Sequence, residues 1–379
     1  MKRSDFVKDA PGKLIDIAEG HVAFVPNPLP PRIEWNAALV RELSEADRVL
    51  GELGGIGRTL ANPHLLIRPF VHKEAVLSSR IEGTRATLSD LLLFDLEPEE
   101  EPEIVDAREV SNYVTALENG LQRIKDLPIG TRIIRELHGV LMQGVRGESA
   151  AGEFRRLQVH IGPTKRLADA TFIPPPANEI DHLMSDLEKF IHGSAGELPV
   201  LIRLALIHYQ FESIHPFHDG NGRVGRLLVS VLLTAERILD QPLLYLSAYF
   251  ERHRDQYYQA LRRVSTEGAW HGWLTYFLEA VRVQSLDAVR SADRLLKLRE
   301  EYHGRTHAAR SGLLHKLIDQ LFISPATTVP RVAKMLDITQ RAAQQNVEKL
   351  IEAKVLREIT GRRRYRIFLA DELIRAIEA

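Results

Sequence analysis

The residues best suited to chemistry lie in one short stretch, IHPFHDGNGRVGR, at positions 214–226. Apolar periodicity predicts a helix that ends just before His215 and a second helix that begins at Asn221, so the stretch is a turn that opens a helix. Backbone N–H groups at such a turn point outward and the helix dipole adds positive potential, which together favour an anion, most often phosphate. The pattern therefore predicts an anion-binding turn at Gly220, Asn221 and Gly222.

The side chains around this turn are the other parts that phosphoryl-type transfer needs. Arg223 and Arg226 are three residues apart on one helix face, and each guanidinium can bind phosphate oxygens with two N–H groups. Asp219 offers the hard oxygen ligands that Mg²⁺ prefers. His215, with an unperturbed pKa of about 6.5, suits the removal of a proton from an attacking hydroxyl. Gly, Asn and Asp are also ordinary turn residues, but the complete set favours a catalytic loop.

Composition and charge restrict the class of protein. A chain of 379 residues predicts two or three domains. The 44% of hydrophobic residues and the net charge of −1 indicate a globular protein, and they favour neither a nucleic-acid binder nor a membrane-surface protein. Cysteine is absent, which excludes disulfides, thiolate nucleophiles and cysteine metal sites. No apolar run suits a signal peptide or a membrane span, so we expect a cytoplasmic protein without membrane contact.

The elements that must position the loop are mainly helices. Residues 1–35 are rich in proline and predict an extended arm that lies on another part of the protein. The acidic run 97–103 predicts a solvated linker, and two β-prone runs within 157–173 predict a hairpin. The predicted helices are 36–50, 67–81, 87–93, 104–125, 131–143, 178–193, 199–213, 221–237, 247–263 and 268–303.

The pattern changes after Gly312. Short helices are predicted at 313–322 and 329–336, followed by a longer helix that Thr339 caps and then by two β-prone runs around a basic turn. This is the order of a winged helix-turn-helix module, which can bind DNA phosphates or act as a protein-binding surface. DNA binding through residues 305–379 is therefore an alternative function, that of a transcription regulator. The basic residues in question are Arg341, Lys349, Lys354, Arg362, Arg363 and Arg364.

Residues 215–226 resemble the complete signature of the Fic family, H-P-F-x-[DE]-G-N-G-R-x-x-R, with every fixed position matched. The segment GEFR at 152–155 resembles the family's G-x-[FY]-R, and FIPP at 172–175 resembles the closing strand of its flap. The resemblance covers residues 104–265. It implies a mainly α fold, with a Fic-type helical core, a β-hairpin flap that holds the target chain by strand pairing, and a C-terminal winged helix-turn-helix domain.

The resemblance also implies a division into three parts. Residues 1–103 would be the N-terminal arm and helical region with an inhibitory helix, 104–303 the catalytic core, and 304–379 the winged helix-turn-helix domain. The partners expected are a protein substrate at the flap, including the enzyme itself, and a second copy in a homodimer.

The roles of individual residues follow from the same resemblance. His215 would deprotonate a Tyr, Thr or Ser hydroxyl of a protein, which attacks the α-phosphorus of ATP and releases pyrophosphate. Asp219 would hold Mg²⁺ between the α- and β-phosphates, Arg223 the β-phosphate and Arg226 the γ-phosphate. The anion hole would comprise Gly220, Asn221 and Gly222, with Asn221 also contacting the α-phosphate. The nucleoside would lie near Tyr249, Arg252 and Gln210, for which ordinary core packing is the alternative.

An internal brake is implied by SSRIEG at 78–83, which resembles the family's inhibitory motif [ST]-x-x-x-E-[GN]. A Glu82 carboxylate that reaches Arg226 would form a bidentate pair, and that guanidinium could then not hold the γ-phosphate. Ser78, one turn earlier, would help to position the helix end. In some relatives the equivalent glutamate also assists removal of AMP, so the reverse reaction stays open.

Other enzymatic interpretations are weaker. Fic-type loops can use other diphosphate-containing donors or transfer a terminal phosphate. A zinc hydrolase would need a spacing that His208, His215 and His218 lack. GESAA at 147–151 does not form a serine-hydrolase motif, and GGIG at 54–57 has no preceding strand, which argues against a dinucleotide fold.

Overall fold

The computed structural model describes residues 1–59, 62–96, 105–193, 198–306, 312–362 and 365–379. These parts are mainly helical, and strands occur only in two small antiparallel sheets. The predicted acidic linker at 97–103 lies outside the described residues. Within them, no helix combines the length and the apolar character that a membrane span requires.

The N-terminal region forms a β-hairpin. Strand β1 (Gly12–Asp16) pairs antiparallel with β2 (Val22–Pro26). All of β2 is buried, and the N–H of Phe24 donates to the carbonyl of Ile173 at 2.9 Å. The extended arm does lie on another part of the protein, but the prediction missed the hairpin. Cross-strand pairing supplies the backbone partners that a single buried arm would lack.

Eleven helices follow in the described residues up to 306. They are α1 (Ala37–Thr59), α2 (His64–Ile81), α3 (Leu88–Phe94), α4 (Val105–Arg123), α5 (Thr131–Leu141), α6 (Ile180–Gly193), α7 (Val200–Ile214), α8 (Asn221–Ala235), α9 (Ser247–Arg252), α10 (Arg254–Glu267) and α11 (Trp270–Thr306). The single helix predicted at 247–263 is two helices, because the backbone leaves the helical region at His253 (φ −114°, ψ 37°). GGIG at 54–57 lies inside α1, so it forms no nucleotide-binding turn.

Helices α7 and α8 form the centre of the core. Nearly every side chain of α7 is buried, as expected for a helix that is apolar on all faces. Helix α7 packs against α6, α8 and α11, and α8 packs against α4 and α5. The turn between α7 and α8 is therefore supported from several sides.

The segment 157–173 contains one isolated antiparallel bridge, between Ile161 and Phe172, instead of the predicted two-stranded hairpin. Proline limits the ladder at both ends. Pro163 follows the bridge on one side and Pro174 on the other, and neither has a backbone N–H to donate. A turn of 3₁₀-helix at Leu167–Asp169 connects the two sides. We keep the name flap for residues 157–173.

The C-terminal part has the predicted winged-helix order. It consists of α12 (Gly312–Ile323), β3 (Ala326–Thr328), α13 (Val329–Leu336), α14 (Gln340–Glu352), β4 (Arg357–Glu358), β5 (Ile367–Leu369) and α15 (Asp371–Glu378). The sheet order is β3-β5-β4, with all pairs antiparallel. Thr339 caps α14 as predicted, accepting from the N–H of Ala342 at 3.3 Å. Strand β3 and helix α15 were not predicted, and Arg363 and Arg364 lie outside the described residues.

The C-terminal part packs on the N-terminal helices. Helix α12 contacts α2, and α15 contacts α2, α3 and α11. Helix α2 also contacts α4, α8 and α9 on the catalytic side. Most of its side chains are therefore buried, and it lies between the core and the C-terminal part. The predicted domain boundary at 303/304 falls near the end of α11 and stays a prediction.

Candidate active site

The turn between α7 and α8 is held by its own side chains. His215 adopts a left-handed conformation (φ 50°, ψ 61°), and Gly220, directly before α8, has φ 76°. The amide of Asn221 closes the turn, since its Oδ1 accepts from the N–H of Phe217 at 2.8 Å and its Nδ2 donates to the carbonyl of Phe217 at 2.9 Å. Both polar atoms of this side chain are thus engaged, so we expect Asn221 to serve an anion mainly through its backbone N–H.

The turn also rests on His138 of α5, which sequence reasoning missed. Its ring stacks on that of Phe217 with centroids 3.8 Å apart. Its Nδ1 accepts from the N–H of Gly152 at 2.8 Å, so Nε2 is the protonated nitrogen and donates to the carbonyl of Asp219 at 3.1 Å. Burial lowers the pKa of His138 to about 4, which keeps it neutral. Nothing in its sequence context distinguishes it from other helical histidines.

Burial lowers the pKa of His215 to about 4, with a further lowering contribution from the nearby charge of Arg155. Arg155 belongs to the GEFR segment and fixes the backbone beside His215. Its Nε donates to the carbonyl of His215 at 2.9 Å, and its Nη2 donates to that of Pro175 at 2.5 Å. The imidazole of His215 is therefore neutral at physiological pH, and its Nδ1 lies 3.4 Å from the carbonyl of Glu212.

Two nitrogens of Arg226 bind α2 and the residue that follows it. Its Nε donates to Ser78 Oγ at 2.9 Å, and its Nη2 donates to the Ser78 carbonyl at 2.9 Å and to Glu82 Oε1 at 2.7 Å. The pair with Glu82 thus uses one nitrogen, and the predicted bidentate geometry is wrong because Ser78 occupies Nε. Burial opposes the charge of Glu82, but Arg226 outweighs it and lowers the pKa of this carboxyl.

The Glu82 carboxylate lies over the start of α8. A Cβ placed on Gly222 would be 2.2 Å from Glu82 Oε1. The first backbone bond of α8 runs from Val224 to Gly220, so the earlier N–H groups are those that a helix start leaves for an anion. The carboxylate oxygen of Glu82 therefore lies at the turn where the sequence predicts an anion.

Arg223 and Asp219 lie on the other side of the turn. Nη1 of Arg223 pairs with Glu109 Oε2 at 2.7 Å, and its Nη2 is 3.8 Å from Asp219 Oδ1. The Asp219 side chain is 46% exposed, with Oδ1 accepting from the N–H of Gly220 at 2.6 Å. One exposed carboxylate beside a phosphate site fits Mg²⁺, which takes its remaining ligands from phosphates and water.

A zinc site is not supported. No group of three or more His, Asp or Glu side chains within the described ranges is arranged to hold a metal ion. His208 is buried, with Nε2 2.7 Å from the hydroxyl of Tyr257, and His218 is exposed. The two histidines therefore lie in different surroundings.

The residues predicted for the nucleoside have their observed contacts elsewhere. Nε2 of Gln210 donates to the carbonyl of Asn27 at 3.1 Å and so holds the end of β2. The ring of Tyr249 lies 5.4 Å from that of Tyr276 on α11, and Arg252 is exposed near Lys73 of α2. The break at His253 separates these two residues from α10. Their nucleoside role stays a prediction that the contacts do not support.

Tyr258 is a residue that sequence reasoning missed. Desolvation and then the charge of Glu82 raise the pKa of its hydroxyl to about 12, while the charge of Arg226 lowers it. The side chain is nevertheless exposed, and the guanidinium carbon of Arg254 lies 5.8 Å from the ring centroid. Tyr258 thus offers an accessible aromatic surface within reach of the charges of Glu82 and Arg226. The doublet Tyr257-Tyr258 was its only signal in the sequence.

Three protein-family models together match most of the chain. The Fic/DOC family N-terminal model matches residues 40–122, the Fic/DOC family model matches 128–233, and an HTH DNA binding domain model matches 314–368. Protein adenylyltransferase Fic of Culex quinquefasciatus is 37% identical over 118 residues, which are 31% of this chain and 21% of that protein. A probable protein adenylyltransferase of Aquifex aeolicus is 27% identical over 53% of this chain and 58% of its own length.

Solved structures share the fold. A Fic family protein from Desulfovibrio desulfuricans superposes with a TM-score of 0.58 at 19% identity, over 90% of this chain and 98% of that chain. A fragment of Fic-1 from C. elegans superposes with a TM-score of 0.52 at 19% identity, over 68% of this chain and 73% of that fragment. At such identities the likeness concerns the fold and leaves chemistry to the site itself.

Proposed function

Because the chain belongs to the Fic family, we propose that it is a protein adenylyltransferase. It transfers AMP from ATP to a Tyr, Thr or Ser hydroxyl of a protein. The observation that carries this proposal is the position of the Glu82 carboxylate. This anion lies next to Gly222 at the start of α8, and its charge acts on His215, whose imidazole is neutral. A base beside a phosphate position is the minimum that hydroxyl attack on a phosphorus requires.

The chemistry balances with the groups present. The substrate oxygen forms a bond to the α-phosphorus while the bond from that phosphorus to the bridging α,β-oxygen breaks. The hydroxyl proton goes to Nε2 of His215, since Nδ1 faces the carbonyl of Glu212. Pyrophosphate leaves with the electron pair of the broken bond.

The other residues bind and orient the triphosphate. The N–H groups of Gly222 and its neighbours stabilise phosphate oxygens. Arg223, fixed by Glu109, is placed for the β-phosphate, and Arg226 for the γ-phosphate once Glu82 leaves it. Asp219 would hold Mg²⁺, whose charge would neutralise the α- and β-phosphates.

The protein partners stay proposals. We place the target chain at the flap, where a protein segment can pair with the exposed backbone, and the enzyme's own chain is one candidate. The homodimer and the cytoplasmic location also stay predictions.

Labelled ATP tests the reaction class. The Glu82→Gly variant with Mg²⁺ is expected to incorporate label from α-labelled ATP and none from γ-labelled ATP, with a protein mass gain equal to AMP. Incorporation of γ-label would instead indicate terminal phosphate transfer. If another unlabelled nucleotide reduced the labelling more strongly than unlabelled ATP does, that nucleotide would be the preferred donor. Disappearance of a preformed AMP adduct from the enzyme would reveal the reverse reaction.

DNA binding is a second candidate function, favoured by the match of residues 314–368 to an HTH DNA binding domain. Arg341, Gln345 and Lys349 are exposed and follow one another at four-residue spacing on α14, so they share one face. Such a face can lie against DNA while basic side chains neutralise phosphates.

We predict that Arg341→Ala with Lys349→Ala weakens DNA binding by the full chain. When the logarithm of the association constant is plotted against the logarithm of the salt concentration, the slope should become shallower by about 1 for each phosphate that the variant no longer neutralises. Fluorescence anisotropy with labelled duplex DNA over a range of salt measures this. Arg375→Ala is the matched control, because Arg375 is an exposed arginine on α15, outside this face. Equal binding by the double variant and the control would argue that the module does not use this face for DNA.

A further inference from the structure

Helix α2 carries polar side chains at four-residue spacing that continue towards the active site. Glu74 and Ser78 lie on one face of the helix, and Glu82 follows directly after its end, one turn further. Glu74 is 2% exposed and Ser78 is fully buried. A buried carboxylate is costly unless it is hydrogen-bonded, so the partners of Glu74 show what it holds.

The partners of Glu74 all lie on other helices. Its Oε1 accepts from the hydroxyl of Tyr113 on α4 at 3.0 Å and from the Ser247 hydroxyl on α9 at 2.5 Å. Its Oε2 accepts from the backbone N–H of Ser247 at 3.2 Å. Burial raises the pKa of Glu74, while Ser247, Arg226 and Tyr113 lower it. One carboxylate thus ties α2 to two helices of the catalytic side.

This network reaches the active site. The Ser78 side chain also lowers the pKa of the Tyr113 hydroxyl, so the two groups interact. Ser78 in turn binds Arg226 with both its hydroxyl and its carbonyl oxygen. Helix α2 therefore joins two buried sets of contacts: Glu74 with Tyr113 and Ser247, and one turn further Ser78 with the guanidinium that Glu82 neutralises.

The position of Glu82 depends on that of α2, because the N–H groups of Glu82 and Gly83 donate to the carbonyls of Ser79 and Arg80. Gly83, with φ 102°, follows Glu82 and leads into the loop before α3. The contact of Glu82 with Arg226 is 2.7 Å, so a shift of the helix by about 1 Å would lengthen it beyond hydrogen-bonding distance. What fixes α2 along its length must therefore also fix Glu82.

We propose that Glu74 is a positioning residue for the brake: through Tyr113 and Ser247 it holds α2 where Glu82 covers Gly222 and engages Arg226. The proposal rests on the proposed function, because release of the brake is read as AMP transfer. Glu74 would thus regulate the site from a buried position two turns before Glu82. Weakening the hydrogen bonds of Glu74 should raise the rate of AMP transfer in part. Once Glu82 is removed, the same change should no longer affect the rate.

The test changes the partners of Glu74 and leaves α2 intact. Tyr113→Phe and Ser247→Ala each remove one hydroxyl, and each should raise basal AMP transfer roughly two- to tenfold, the effect of removing one hydrogen bond. Added to Glu82→Gly, neither should raise the rate further. Tyr302→Phe is the control, since it removes an equally buried hydroxyl from α11.

A second measurement is independent of catalysis. Hydrogen exchange of the amides of residues 78–84 should be faster in Tyr113→Phe and Ser247→Ala than in wild type and Tyr302→Phe. Each protein is measured at the same interval below its own Tm, so that global unfolding contributes equally. Unchanged exchange overturns the proposal, whatever the activity. Faster exchange without a rise in AMP transfer, when Glu82→Gly is active, also overturns it. If Glu82→Gly itself transfers no AMP, the proposed function fails, and the exchange rates alone decide whether Glu74 fixes α2.

Discussion

Glycine in place of Glu82 should raise the rate of AMP incorporation by about ten- to hundredfold. The carboxylate makes a charge-assisted hydrogen bond to Arg226 and covers Gly222, so ATP must displace it to bind productively. A hydrogen bond to a charged group contributes about 1.5–3 kcal/mol, which corresponds to that range of rates. Initial rates with α-labelled ATP, and ATP affinity by calorimetry, measure the change.

Glu267→Gly is the matched control for this prediction. Glu267 is the last residue of α10 and pairs with Arg263 at 2.9 Å on the surface, so the variant also removes an ion-paired glutamate at a helix end. Its rate should equal that of wild type. If Glu82→Gly were no faster than this control, Glu82 would not restrain the site, and its contact with Arg226 would serve stability alone.

Alanine in place of His215, made in the Glu82→Gly background, should lower the rate by about 10²- to 10⁴-fold, the usual contribution of a general base. ATP affinity should change little, because the phosphate contacts belong to α8 and its arginines. His218→Ala provides the control, since this exposed histidine lies in the same loop. Equal decreases in both variants would show that the loop, rather than the base, had been damaged.

The pH dependence of the Glu82→Gly enzyme tests the same base. His215 must be neutral to accept a proton, and its pKa is lowered to about 4, so the rate should rise with pH near 4 and stay constant from about 6 upward. The charge of Glu82 raises the pKa of His215, so removal of Glu82 should shift the rise in rate to lower pH. A midpoint near the unperturbed value of about 6.5 would contradict the desolvated position of the half-buried imidazole.

The parts of the site that are close in sequence were predicted well. The turn after α7, the start of α8 and the cap at Thr339 each depend on a few neighbouring residues. The engagement of Glu82 by Arg226 was predicted through a resemblance, and the structure corrects its geometry. The wing residues Arg363 and Arg364 and the acidic linker stay predictions.

The parts that join distant segments could not be predicted in the same way. Ser78 and Arg226 are 148 positions apart, and Glu74 and Ser247 are 173 apart. No periodicity links such residues, because they meet only when α2 packs between the core and the C-terminal part. The flap shows the same limit, since its β-prone residues predicted a hairpin but proline leaves a single bridge.

The sequence by itself determined that a turn with His215 and Gly220 leads into a helix at Asn221, and it predicted an anion there, because a glycine turn at a helix start exposes N–H groups whatever surrounds it. Only the tertiary structure decided that Ser78 shares Arg226 with Glu82, that burial keeps His215 neutral, and that Tyr258 lies near Glu82 and Arg226. These outcomes depend on desolvation and on contacts between separate helices, which exist only once the core has packed.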